Sequence, residues 1–389
     1  MKIEAIKIKN FKVFQNAEAK DFSDLAVFIG ENGSGKSTFF DVFSFLNDCL
    51  SKNVGAALSK RGGYQKVISY GHEGEDICFI IKFRSSPSEP LITYELSIGL
   101  DEKNLAVVNN EIIRLRRGEK GAPWVILKFS RGEGFAAAGE LQRYEDVRLA
   151  EREKQLLEAP DILAIKGLGQ FKNFGAISAF RRMVEDWHVS DFSIEASRER
   201  HEIEEGKQLT KTGDNLAVVT KYIHDNHPDI FIDIMKKKKT YIPSIEKIEA
   251  QETQDGYIVL SFKDGVFQNP FSAKFVSDGT IKLFMYLILL YNPLHHALLC
   301  VEEPENHLYQ RLLARLAEEF QIYSYGNQIF VSTHSPDFLN AVPLNVIYCL
   351  DKKNGFTVIN KAIANPIAKK LCEAGDLPGS LWRQCILME

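Results

Sequence analysis

Cysteine is sparse in this chain. The six present, Cys49, Cys78, Cys300, Cys349, Cys372 and Cys385, are scattered through 389 residues with no C-x-x-C pair. Such spacing builds neither a disulfide framework nor a zinc site, so the thiols read as reduced core residues. A basic excess is also missing. Lys plus Arg number 48 against 52 Asp plus Glu, a net charge of -4, so any contact with nucleic acid has to use a local patch. Long apolar runs are absent: Leu283 to Tyr291 is the most apolar stretch and falls well short of the roughly 20 residues a membrane helix needs. Met1 to Asn10 mixes charged and apolar residues and lacks a signal-peptide core, so a cytoplasmic location with no membrane contact is expected. There is no low-complexity tract, internal repeat or sustained heptad pattern. A composition of 45% apolar and 26% charged residues excludes disordered and collagen-like classes. At roughly 150 residues per domain, the length suggests two or three structural units.

Periodicity supplies the coarse architecture. Ile6 and Ile8 alternate with Lys7 and Lys9 as in a strand with one wet face, and Leu25 to Ile29 reads as a short buried strand. Ile77 to Phe83, Leu91 to Ile98, Glu111 to Leu115 and Trp124 to Phe129 are β-type runs separated by turn residues, which predicts an antiparallel sheet. From about 140 to 240 the pattern turns helical, with Ile177, Phe180, Val184 and Trp187 on one face, and Ser197 to Asp214 reads as a polar loop. Strands at Ile245 to Ala250 and Tyr257 to Phe262 follow. Beyond them a helix (Ile281 to Leu290), a strand (Ala297 to Val301), a helix (Leu308 to Phe320) and a strand (Gln328 to Ser332) alternate as in a parallel sheet covered on both faces. The expected division is an N-terminal lobe at 1–139, a helical insertion at 140–243 and a C-terminal lobe at 244–389.

Two motifs carry chemistry. Gly30-Glu31-Asn32-Gly33-Ser34-Gly35-Lys36-Ser37 satisfies G-x-x-x-x-G-K-[ST] between a predicted strand and a predicted helix. The glycines let the backbone wrap so that its N–H groups and the helix N-terminus face a polyphosphate. Lys36 then reaches the β and γ phosphates and the Ser37 hydroxyl ligates Mg²⁺. Asn32, Gly33, Ser34, Gly35 and Thr38 complete the nucleotide cradle. The second motif is Leu298-Leu299-Cys300-Val301-Glu302-Glu303-Pro304-Glu305, an apolar strand that ends abruptly in carboxylates. At the carboxyl end of such a strand Glu302 can hold the metal and Glu303 can act as general base, although the same residues also suit the acidic first turn of a helix.

From Lys36 to Glu302 is 266 residues, far more than a compact GTPase or a hexameric motor core separates them by. At this point the sequence resembles the ATP-binding-cassette ATPases of the RecF and SMC type. Closer still are the bacterial RecF-like AAA-family ATPases grouped with the ATPase portion of overcoming-lysogenization-defect proteins. Four further segments carry the likeness: Asn10-Phe11-Lys12-Val13-Phe14, Val276-Ser277-Asp278-Gly279-Thr280, Pro304-Glu305-Asn306-His307-Leu308, and Phe330-Val331-Ser332-Thr333-His334-Ser335.

The resemblance implies an α/β P-loop NTPase fold of the cassette-head type, with a mixed sheet, an antiparallel β subdomain and an inserted helical subdomain. It implies ATP and Mg²⁺ as cofactors and ATP hydrolysis as the activity. Ser277 and Gly279 look like the signature pair that grips the γ-phosphate bound by another copy, so a homodimer sandwiches the nucleotide. His334 resembles the switch histidine, and Lys12 the N-terminal residue held near the nucleotide. Ser277 and Asp278 equally suit an ordinary helix cap. Glu302 stands where many cassette ATPases have Asp, a substitution RecF-like relatives share. Gln65 is a candidate for the metal-contacting glutamine, a plain surface turn being the alternative.

With 55 residues after His334, a nuclease domain of the overcoming-lysogenization-defect kind is not expected within this chain. Two uses stay open. One is a DNA-acting machine in repair or defence against foreign DNA, for which Lys236-Lys237-Lys238-Lys239 and Arg181-Arg182 are candidate contacts. The other is a nucleotide-gated module that controls a separate effector protein. The presence of Lys36 and Glu303 argues against an inactive scaffold.

Overall fold

Strands whose every residue is apolar need cover on both faces, and the central sheet meets that demand. In the computed structural model, which describes residues 2–84, 86, 89–116, 123–137, 154–202, 206–266 and 269–388, its six strands run in the order Trp187–Ser190, Leu298–Glu302, Ile329–Ser332, Leu25–Ile29, Ile347–Lys353 and Phe356–Lys361. The first five are parallel to their neighbours and the last is antiparallel. Successive side chains of one strand feed different cores. Ala26 and Phe28 join the cluster beneath the antiparallel sheet, while Leu25, Val27 and Ile29 join the cluster among the C-terminal helices. That two-sided burial explains why Leu25–Ile29, and Leu298–Glu302 up to Val301, show no polar alternation.

The antiparallel sheet has eight strands, in the order Phe14–Lys20, Lys2–Phe11, Ile77–Arg84, Leu91–Leu100, Ala106–Arg116, Trp124–Ser130, Glu133–Ala136 and Lys154–Leu156. Between it and the central sheet lies the helix Lys36–Ser51, which buries Phe39, Phe40, Phe43 and Phe45. Phe28 packs 4.6 Å from Phe39 and 5.3 Å from both Phe330 and Tyr348, ring centroid to centroid, which adds about 0.5–1.5 kcal/mol per pair to the burial of each ring. This aromatic cluster anchors the glycine-rich loop from below. The third sheet is small: His201–Glu202, Tyr257–Asp264 and Ile245–Glu252 with Phe271–Ser272 at its side.

Two expectations for 140–240 need correction. Trp187 does not continue a helical face. The helix Gly175–Glu185 ends two residues earlier, and Trp187–Ser190 is the edge strand of the central sheet, parallel to Leu298–Glu302. The insertion therefore contributes to the sheet that carries the site. Nor is Ser197 to Asp214 simply a polar loop among its described residues: Leu209 is buried, His201–Glu202 pairs with Tyr257–Asp264, and the Lys207 carbonyl accepts from Asn292 at 2.7 Å. The expected boundary at 139/140 lies outside the described residues. All six cysteines are free, but Cys385 is exposed, so only Cys49, Cys300 and Cys349 fit the reading of buried thiols in full. Among the described residues no helix is long and apolar enough to cross a membrane; Leu283 to Tyr291 belongs to the core helix Asp278–Tyr291.

Candidate functional site

The strand Leu25–Ile29 leads into the glycine-rich loop, and the helix Lys36–Ser51 leaves it, as the spacing predicts. Gly35 adopts φ +105°, a conformation closed to ordinary L residues, and a Cβ there would lie 2.9 Å from both Thr357 Oγ1 and Val13 Cγ2. The Thr357 hydroxyl donates to the Ser34 carbonyl at 2.7 Å, so the antiparallel edge strand clamps the loop from outside. Lys36 is buried, and its ammonium donates to the carbonyls of Gly30 at 2.8 Å and Glu31 at 3.2 Å. Asn32, Gly33 and Ser37 are exposed, Thr38 is half-buried, and Ser34 is buried with its hydroxyl unpartnered. The first helical turn at Lys36, Ser37 and Thr38 presents backbone N–H groups without intrahelical acceptors, the feature that favours an anion.

Two strands away in the sheet, Leu298–Glu302 delivers the carboxylates to the same end. Glu302 is opposite Ser332 in the parallel register. Burial raises the Glu302 pKa, the nearby Ser37 hydroxyl opposes the rise and the Asp191 carboxylate adds to it, so the two motifs lie close to one another. Lys36 feels burial as a downward shift, partly offset by the negative charges of Glu303, Glu305 and Glu302. A lysine in the field of three carboxylates defines a polar centre at the carboxyl ends of the strands.

Glu303 sits at φ +41°, a strained conformation for a non-glycine residue and one that structures retain where surrounding contacts enforce it. Those contacts are present. Its N–H donates to the Ser332 carbonyl at 3.0 Å, Asn306 Nδ2 donates to its Oε2 at 3.1 Å, and His334 Nε2 approaches its Oε1 at 3.4 Å. Burial and the nearby Lys36 ammonium lower the His334 pKa, which keeps the ring neutral near pH 7. Glu305 ties the carboxylate loop to the histidine loop, accepting from the His334 N–H at 2.5 Å and the Thr333 hydroxyl at 2.9 Å. A water bridging Glu303 and His334 from the open side would meet a carboxylate and an imidazole at once.

Ser37 and Glu302 are hard oxygen donors near one another, which suits Mg²⁺, an ion that takes few protein ligands and completes its shell with phosphate and water. Among the described residues there is no cluster of three His, Cys, Asp or Glu that would form an all-protein metal cage. Asp191 follows the edge strand directly, beside Glu302. Gln65 instead lies exposed on the short helix Tyr64–Val67.

Ser277 and Gly279 are positioned differently. Ser277 is exposed at the N-cap of the helix Asp278–Tyr291, its Oγ accepting from the Thr280 N–H at 3.4 Å, while everything from Ile281 to Leu290 is buried. The expected cap is thus present. Lys12 pairs with Asp41 on the second turn of the loop helix at 2.7 Å. Three of the four lysines named as candidate DNA contacts are engaged within the chain. Lys237 pairs with the buried Glu319 at 2.7 Å, Lys238 is buried and donates to the Ile245 carbonyl, and Lys236 pairs with Asp233 at 2.9 Å. Arg181 is bound to Glu185, leaving Arg182 exposed.

Sequence reasoning missed roles for Asp191, Glu305, Asn306 and Thr357. For Asp191 the only signal is a four-residue β-type run ending in an acid, a short copy of the Glu302 pattern. Glu305 and Asn306 lie in a noted motif, but their partners are about 30 residues away or across a turn. Thr357 carries no local signal.

Comparison with known proteins gives one family match, described as "AAA domain, putative AbiEii toxin, Type IV TA system", over residues 25–340. The DNA double-strand break repair Rad50 ATPase of Saccharolobus solfataricus is 29% identical over 118 residues, or 30% of this chain and 13% of that protein, so the chain spans a small part of that relative's length. Among solved structures, an SMC head bound to the C-winged helix domain of ScpA superposes with a TM-score of 0.53 at 14% identity, covering 92% of this chain and 98% of that one. An Smc head domain with an extended coiled coil, bound to the C-terminal domain of ScpA derived from Pyrococcus furiosus, gives 0.51 at 12% identity, covering 96% and 99%. These structures share the fold with this chain.

Proposed function

The chain belongs to this AAA-domain family and has the fold of an SMC-type ATPase head, and from that premise we propose that it hydrolyses ATP at a composite site completed by a second copy. The observation that carries the reading is the convergence of Lys36 and Ser37 with Glu302, Glu303 and Glu305 at one end of the sheet. On this reading Asn32 to Thr38 cradle the phosphates, and Lys36 exchanges its two loop carbonyls for β and γ oxygens. Ser37 and Glu302 would hold Mg²⁺, which would neutralise phosphate charge. Glu303, oriented by Asn306, takes the proton of the attacking water, while His334 holds that water in line. The partner's Ser277, exposed at a helix tip, and the partner's Gly279, half-buried beside it, close over the γ-phosphate. Lys12 flanks the loop helix through its pair with Asp41. ATP thereby joins two heads, and hydrolysis releases them.

The test is the Glu303→Gln protein. Turnover should fall by about 10²–10⁴, the span of a lost general base, while ATP binding persists and ATP with Mg²⁺ converts monomer to dimer on sizing. Normal hydrolysis by this protein would remove Glu303 from the mechanism.

The biological use we favour is action on DNA in repair or defence, supported by the Rad50 likeness. A second reading, a nucleotide-gated module controlling a separate effector, gains support from the toxin–antitoxin wording of the family and from the internal engagement of Lys237 and Lys238. Stimulation of turnover by duplex DNA favours the first; DNA-independent turnover together with nucleotide-dependent co-purification of an effector favours the second.

A further inference from the structure

The helix tip assigned to grip the γ-phosphate contains an electrostatic contradiction. Between Ser277 and Gly279 stands Asp278, an exposed carboxylate at the first helical position. An acid there stabilises the helix, but it also cancels the positive potential that makes a helix N-terminus bind anions. Bare, this tip would repel a triphosphate.

The contradiction is resolved from outside the motif. Arg198 follows the short helix Ile194–Ser197, and its Nη2 donates both to the Val276 carbonyl and to Asp278 Oδ1, the latter at 2.7 Å. His307, from the loop after the catalytic carboxylates, places Nδ1 3.3 Å from Asp278 Oδ2. Both carboxylate oxygens are thus held on the side of the chain's own loops. The backbone is packed just as closely, since a Cβ on Gly279 would lie 2.9 Å from the His307 carbonyl oxygen.

We infer that Arg198 is a positioning residue of the composite site: it neutralises Asp278 and holds its carboxylate aside, so that the Ser277 hydroxyl and the Gly279 N–H meet the nucleotide of the other copy. Arg198 is about 80 residues away from the motif it serves. This inference rests on the two-copy reading above and specifies what its signature tip requires.

The experiment uses the Glu303→Gln chain with ATP and Mg²⁺, its dimer dissociation constant measured by analytical ultracentrifugation. Adding Arg198→Ala should weaken the dimer at least about tenfold, as uncompensated like charges across an interface do. Adding Asp278→Asn to that protein should restore the constant to within about threefold of the parent, because the repelling charge is gone. A merely structural arginine would not be rescued this way. The inference is overturned if Arg198→Ala dimerises like the parent, or if the double change stays as weak as the single one. Should Arg198→Ala fail to fold, Asp278→Asn alone decides: it should dimerise at least as tightly as the parent, and weaker association overturns the inference. A parent that never dimerises with ATP removes the two-copy reading itself, and this inference with it.

Discussion

Glu111 offers a quantitative test of the packing between the antiparallel sheet and the helices below it. Its carboxyl is fully buried and accepts from the N–H groups of Ala164 at 2.5 Å and Ile165 at 3.2 Å and from the Tyr94 hydroxyl at 3.2 Å. Burial outweighs those three bonds and pushes its pKa from 4.5 up to about 7. The folded chain therefore holds this proton over a range where the unfolded chain has released it. The associated stability is fully present below pH 4.5 and is lost as pH rises through about 7. A change from 4.5 to about 7 corresponds to about 3 kcal/mol of differential proton affinity. Other groups titrate over the same range, so the informative quantity is the difference between the parent and Glu111→Gln. The amide cannot ionise, and it offers one acceptor oxygen where two N–H groups wait, so the variant should be the less stable protein at pH 5 by about 1 kcal/mol. Relative to the parent it should then gain about 3 kcal/mol between pH 5 and pH 8 and end the more stable of the two. Urea unfolding followed by tryptophan fluorescence at four pH values between 5 and 8 measures this directly. Parallel profiles for the two proteins would show that Glu111 does not carry its proton into the neutral range and would refute the reasoning.

Two more predictions concern the site. Glu305→Ala removes the acceptor for the His334 N–H and the Thr333 hydroxyl, so kcat should fall about 10–100-fold, as for one lost charged hydrogen bond, with the KM for ATP little changed; a pure KM effect would place Glu305 in nucleotide binding instead. Gly35→Ala forces φ +105° on an L residue and drives a Cβ to 2.9 Å from Thr357 Oγ1 and Val13 Cγ2. It should cost about 1–3 kcal/mol in a denaturant melt and abolish ATP binding by calorimetry, and unchanged binding would show that the loop tolerates another path.

What was legible in the sequence was what is local. The glycine-rich loop shows because strand, loop and helix follow one another within a few tens of residues. The antiparallel strands show because one wet face imposes alternation, as in Ile77–Arg84. Leu298–Glu302 shows because a buried strand ending in acids is rare on other grounds. Trp187–Ser190 did not show: four residues are too few for a period, and they directly follow an amphipathic helix whose spacing absorbs Trp187. Its pairing partner begins at Leu298, so nothing nearby identifies it as a strand. The internal engagement of the lysine run was hidden for a related reason. Four cations in sequence look solvated, but on a helix they point in different directions, and Lys238 turns inward to the Ile245 carbonyl while Lys237 meets Glu319. The Arg198–Asp278 contact has no sequence signal at all, since neither residue is unusual until the two loops meet.

The long gap between the phosphate loop and the carboxylates follows from strand order. Four adjacent parallel strands end at the same edge: Trp187–Ser190, Leu298–Glu302, Ile329–Ser332 and Leu25–Ile29. Their next residues are Asp191, Glu303, Thr333 with His334, and the glycine-rich loop. Right-handed crossovers between parallel strands require intervening helices, so neighbours at this edge cannot be neighbours in the chain. The edge strand comes from the segment expected to be a separate helical insertion, and Asp191 rides on it beside Glu302. Any movement of that segment therefore acts on Glu302 through one strand pairing, and Arg198, eight residues after the strand, connects the same segment to the N-terminus of the helix Asp278–Tyr291. One short stretch, residues 187–198, thus touches both halves of the proposed composite site, the half that this chain completes for itself and the half it lends to its partner.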